Sequence, residues 1–299
     1  MSSPASGSFD PDSTLGALLV GVLASYVLFG ITTNQVYVYT SRFPNDSCKV
    51  KMLVAAVWLF ELAHVLCIGH TLYILAVSDF GHPASFESIP ASLGASTVFN
   101  GLIAMCVQGF FAHRIYRLSK QLYIPLFCWT LSLLFLAAST VAFVTGYRTT
   151  QFTKYEVQWG WLLDALWTIS AVDDLIISAS LVFWFLRRRD TSQPSVALVD
   201  KLIAWTIETG AVTSAAAILN LICFTMMKTN FIWIAWYVVT ARLYSNSFLA
   251  SLNSRETLRK MNDTPRSLPY PVYPSNLGVD SATTFQSTRT LPTNQLLSC

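Results

Sequence analysis

Glu61 and His64 are the first residues along this chain whose types and spacing suggest chemistry. Three positions apart on a helix they share a face. A carboxylate beside an imidazole can hold a metal, pass a proton or form a local hydrogen-bonded pair. Di-iron bundles repeat Glu-x-x-His and add further glutamates. One copy stands here, so the local pair is the simpler reading and no metal site is expected. His70 lies about 120° further round a helix, which makes it a poor co-ligand for His64 and disfavours three-histidine zinc hydrolases. Asp173 and Asp174 are neighbours pointing about 100° apart, so at most one is expected to face a given cavity squarely. Two ionised carboxylates there would be costly, and one is expected to take a proton or pair with a cation. Arg242 is the strong base at a similar depth, with Asn246 and Ser247 one turn further on. Glu208 is about 12 Å into its stretch at the rise of a helix, and Asp164 sits nearer one end.

These groups lie inside seven long apolar stretches, Thr14–Tyr39, Val50–Val77, Ala91–Leu118, Leu122–Tyr147, Trp159–Leu186, Leu198–Met227 and Asn230–Asn253. Of the 299 residues, 53% are hydrophobic and 12% charged, about half the charge of an ordinary soluble domain. About 20 helical residues cross the hydrocarbon of a bilayer. With no water there to satisfy the backbone, unbroken apolar runs must be helices; barrel strands would alternate. The expected fold is therefore all-α, a polytopic membrane bundle of seven transmembrane helices. In hydrocarbon an ionisable side chain is expensive and turns inward. Glu61, His64, Asp173, Asp174, Glu208, Arg242, Asn246 and Ser247 are thus expected to form or brace a buried polar layer. Two readings of it stand side by side. An Arg–Asp or Arg–Glu bridge fixes the seventh helix against the fifth or sixth, or the layer binds a polar ligand or relays protons.

Loop charges orient the bundle. Arg42 and Lys49, then Arg114, Arg117 and Lys120, then Arg187–Arg189 and Lys201, and finally Arg255, Arg259, Lys260 and Arg266 mark alternate breaks. Cytoplasmic loops carry the Lys/Arg excess, so the N-terminus is expected outside and the C-terminus in the cytoplasm. The first residues lack the basic region of a cleaved signal, and the first helix is expected to act as an anchor. Residues 1–13 read as a short exported segment, 14–253 as the membrane domain and 254–299 as a Pro/Ser/Thr-rich disordered cytoplasmic tail. The six cysteines avoid the expected outer loops, which argues against a disulfide framework. Basic residues in the inner loops fit topology and anionic lipid, so the bilayer is an expected partner and nucleic acid is not.

A retinal Schiff base needs an embedded lysine that the seventh stretch lacks. Asp-Arg-Tyr and Asn-Pro-x-x-Tyr, a phosphate-binding glycine loop and a Gly-x-Ser-x-Gly elbow are missing too, and no cofactor or catalytic residue is expected. The C-terminal half is more specific: Ala171-Val-Asp-Asp-Leu-Ile-Ile-Ser-Ala-Ser-Leu181, the basic Arg187–Arg189, Thr206-Ile-Glu-Thr-Gly210 and Leu243-Tyr-Ser-Asn-Ser-Phe-Leu249 leading to Arg255. With Trp58-Leu-Phe-Glu-Leu-Ala-His64 and Phe111-Ala-His-Arg-Ile-Tyr-Arg117, this order resembles a family of fungal, chiefly basidiomycete, membrane proteins known only as a domain of unknown function, the 6534 type. The resemblance spans Leu15–Arg255 and implies seven helices and a membrane location, without an activity. Relatives typically carry one Asp where this chain has Asp173-Asp174, which leaves open which of them is equivalent. The leading functional expectation is a receptor-like or sensory protein with a small-molecule ligand and a cytoplasmic partner for the tail. A proton-coupled or small-molecule transporter is the alternative, and a non-catalytic scaffold a further one.

Overall fold

A computed structural model of the chain describes residues 12–79, 88–149, 151–187, 193–226 and 232–263. Among them the chain forms seven α-helices: α1 Ala17–Arg42, α2 Cys48–Tyr73, α3 Ala91–Ser119, α4 Tyr123–Thr149, α5 Phe152–Arg187, α6 Gln193–Met226 and α7 Ile232–Asp263. A π-helical turn, Asp12–Gly16, leads into α1, and another, Ile74–Ser78, prolongs α2. Several boundaries follow from local chemistry. Pro90 precedes α3, Pro125 lies in the first turn of α4 and Pro194 follows the first residue of α6, positions where a missing N–H costs no helical bond. α3 stops at Lys120, whose backbone is left-handed (φ 59°) while its N–H still donates to the Tyr116 carbonyl at 2.8 Å.

Among the described residues, six helices are long and apolar enough to cross a membrane. α7 is not among them, although it is as long as the others. It carries Arg242, Asn246 and a run of serines, which lower its hydropathy because they serve the protein interior rather than lipid. The structure also moves some limits. α5 begins at Phe152, before the expected Trp159, and α6 begins at Gln193. α7 continues past Asn253 to Asp263, so residues 254–263, expected to open a disordered tail, are helical. Residues 1–11 and 264–299, and with them most of the expected N-terminal segment and tail, lie outside the described residues.

Each helix packs on the next in sequence, and α1 closes the ring against α7. α3 reaches across to α5 and α7, and α2 also meets α7. Half of the apolar window of α3 is buried inside the protein, against 28% for α1, α2 and α4, which places α3 centrally. The faces left outward are apolar, with Leu23 and Val27 on α1 and Leu133 and Leu134 on α4 among the exposed residues. Polar groups are instead buried, the inversion expected where lipid is the solvent. At Gly21 a Cβ would stand 2.7 Å from the Cα of Ala235, so the α1–α7 approach needs glycine there. We call the end where α1 begins upper and the end where α7 finishes lower. At the lower end Arg255 on α7 pairs with Asp46, which also accepts a hydrogen bond from Tyr39 at 3.0 Å. Arg42 pairs with Glu256 at 2.7 Å. These bonds tie the helical extension of α7 to the α1–α2 connection, which explains why 254–263 stays helical.

Candidate functional site

Arg242 on α7 is fully buried, and its guanidinium can be carried there only with full compensation. Its partners come from α1 and α2. Nε donates to Ser25 Oγ at 2.9 Å, Nη1 to the Glu61 carbonyl at 3.2 Å, and Nη2 to His64 Nδ1 at 2.6 Å. The guanidinium also forms an ion pair with the Glu61 carboxylate and lies 5.8 Å from the centre of the Phe29 ring. Ser245 Oγ, one turn along α7, donates to Glu61 Oε1 at 2.5 Å. Glu61 and His64 share a helix face, but the expected hydrogen bond between the two is corrected: both turn to Arg242 instead, and His64 Nε2 has no partner among the described residues. The expectation that Arg242 would bridge to the fifth or sixth helix is corrected: its acid is on α2, because the ring order sets α7 between α1 and α6 with α2 across from it. With Nδ1 accepting, the His64 proton belongs on Nε2, which has no hydrogen-bond partner.

Asp173 and Asp174 form a second buried network with α3, α4 and α7. Gln108 Nε2 donates to Asp174 Oδ1 at 3.1 Å, and Tyr244 OH donates to Asp174 Oδ2 at 2.7 Å. Ser170 Oγ and Tyr244 OH are 2.6 Å apart. Ser132 Oγ stands 3.1 Å from both Asp173 Oδ2 and Gln108 Oε1. One hydroxyl has one proton, so Ser132 can donate to only one of these acceptors. The adjacent acids thus stand in one cluster with Gln108 and Ser132, while Asp174 and not Asp173 lines a small cavity below it. α5 packs on α3, α4 and α6, and Ser170 and Asp174 carry its inner face to Tyr244 of α7.

The remaining expected residues divide. Asn246 is half-buried and donates to Thr32 Oγ1 at 3.0 Å and to the Arg242 carbonyl at 2.8 Å, extending the α1 contact. Ser247 and Glu208 line a lower vestibule of about 560 Å³ with Gln35, Arg114 and Asn253. Glu208 is exposed and does not join the buried layer; the corresponding expectation is corrected, since its flank of α6 faces this opening. His70 is also exposed. A small cavity of about 30 Å³ carries the vestibule's neighbourhood upward past Thr206, Thr209 and Ser247 to Asp174 and Tyr244. At the upper end, α3 to α7 enclose a separate cavity of about 140 Å³. Its walls include Phe135, Trp167, Phe224 and Trp233, the last three stacked edge to face with centroids 5.1–6.0 Å apart.

Ser25, Gln108, Ser132, Ser170, Tyr244 and Ser245 were not foreseen. Each is a neutral polar residue within a span, and the signal that could have found Gln108 is its amide at mid-depth of α3. Residues 170–257 match a family of unknown function, DUF6534. The matched segment runs from the lower part of α5 through α6 and most of α7, narrower than Leu15–Arg255, and includes Asp173, Asp174, Arg242, Tyr244 and Arg255. No curated protein matches the chain.

Proposed function

We propose that the chain is a seven-span membrane protein, N-terminus outside and C-terminus cytoplasmic, acting as a receptor-like sensor. Alternation of basic loops supports the orientation. α7 serves as the seventh span because its charges are compensated within the ring and its neighbours shelter it. The observation that carries the sensory reading is the position of α7. Near its upper end Trp233 and Tyr237 line the upper cavity. In its middle Arg242 and Ser245 engage α1 and α2 while Tyr244 engages α5. At its lower end Asn246, Ser247, Ser251 and Asn253 line the vestibule. A ligand above would touch the same helix that shapes the lower surface, and coupling of the two ends then requires that α7 have two arrangements with different affinities for that ligand.

The second reading, a carrier, is favoured by the small cavity that reaches Asp174 beneath the network. Reconstitution separates them. A sensor shows saturable stabilisation by a metabolite, about 5 °C or more at a hundredfold excess over Kd, with no accumulation inside vesicles. Uptake that Asp173→Asn or Asp174→Asn abolishes would overturn the sensor in favour of the carrier. A chain that neither binds nor accumulates any member of a metabolite panel would support a scaffold.

A further inference from the structure

The upper cavity has a chemistry that the buried charges do not share. Its volume, about 140 Å³, is close to the roughly 150 Å³ of an apolar protein cavity that stays dry and takes up benzene. Trp167, Phe224 and Trp233 present ring edges and faces to it, an arrangement suited to a further ring in offset or edge-on contact. Most polar neighbours have spent their donors on the protein. Thr97 Oγ1 donates to the Gly94 carbonyl at 2.7 Å, with the Ser139 carbonyl within reach at 3.2 Å, Ser139 Oγ to the Phe135 carbonyl and Tyr155 OH to the Ala142 carbonyl. Asn100 differs. It lines the same cavity, is only 6% exposed, and its side-chain carbonyl Oδ1 is buried without a hydrogen-bond partner. An orphaned buried acceptor is a standing cost that a donor from a ligand would remove.

We propose that this cavity binds a small neutral molecule with a single aromatic ring and one O–H or N–H donor, the ring among Trp167, Phe224 and Trp233 and the donor on Asn100 Oδ1. The volume sets the single ring. Glu156, the acid in the lining, is half-buried and already engaged within the protein, which disfavours an anion and leaves the ligand's donor to Asn100 Oδ1. The occupant rests on the sensor reading for its purpose, but its binding is a separate fact.

The probes are 4-fluorophenol and 4-fluoroanisole, followed by fluorine NMR on the full chain in detergent. They differ in the donor, which the methyl group removes. The phenol should saturate and bind roughly fivefold tighter than the ether, the scale of one net hydrogen bond. Asn100→Leu should bring that ratio close to one while the ether still binds. Ser139→Leu, which fills the space, should abolish saturation by both. The ratio in the unmodified chain needs no variant, so a misfolded Asn100→Leu leaves the proposal testable. Failure of either probe to saturate, a ratio near one, or a ratio that Asn100→Leu leaves intact would overturn it. Binding with the expected ratio but without any shift of a fluorine label on Ser254→Cys, in a Cys48→Ser, Cys299→Ser background, supports the site and counts against the sensor. Absence of binding removes the site and leaves the sensor to another ligand.

Discussion

Arg242 shows how a single residue can decide what seven helices do with their charges. Its side chain is fully buried, and every nitrogen of the guanidinium meets an acceptor on α1 or α2. Removing one member of such a pair leaves the other charged and stranded, which typically costs about 3–5 kcal/mol. Arg242→Met should therefore lower the melting temperature sharply, whereas adding Glu61→Met should recover much of the loss. A double-mutant cycle on thermal unfolding in detergent checks this. Additive effects of the two substitutions would show that the pair is not the unit holding α7 to α2. The pair was half legible. An acid, an imidazole and a base at one depth announce a buried layer, because hydrocarbon penalises each of them alone. Their pairing was not legible, since it depends on which helices stand beside one another. Ser132 and Tyr244 were less visible still, because a hydroxyl in a span draws attention only when its partner is known, and Gln108 offered only its amide at mid-depth of α3.

At the scale of the helix, close approach matters as much as charge. α7 can run against α1 because Gly21 presents no side chain to Ala235, where a Cβ would stand 2.7 Å from the backbone. Backbone cannot yield as a flexible side-chain tip can, so the helices must separate. Gly21→Val should loosen the α1–α7 contact and weaken the Arg242–Ser25 bond that depends on it, destabilising the protein by about 1–3 kcal/mol. The check is the midpoint of unfolding, with Gly30→Val as control, since nothing lies within 4 Å of a Cβ at that position. A common loss in both variants would point to helix propensity rather than packing. The positions of the helices themselves were legible from uninterrupted apolar length. Their ends were less so. The extension of α7 to Asp263 rests on the Arg255–Asp46 and Arg42–Glu256 contacts, which join segments more than 200 residues apart.

At the scale of the molecule, the proposed orientation makes the upper cavity an outer site and the vestibule an inner one. It is tested by placing glycosylation acceptors in the connection between α2 and α3, residues 80–87, and leaving Asn45 intact. Modification there with none at Asn45 is the expected pattern; the reverse would invert the bundle and exchange the roles of the two ends. The sequence alone determined that this is a bundle of long apolar helices with ionisable groups held inside it. That much follows from the solvent, because each residue must meet the cost of hydrocarbon wherever its neighbours are. The tertiary structure alone decided that Arg242 belongs to Glu61 and His64, that Asp173 and Asp174 share a network with Gln108 and Tyr244, and that Glu208 stands outside both. It also decided that aromatic side chains from α5, α6 and α7 enclose a space with Asn100 on α3. Those outcomes depend on the rotation and order of the helices around the ring, and a burial cost that is the same on every inward face carries no information about either.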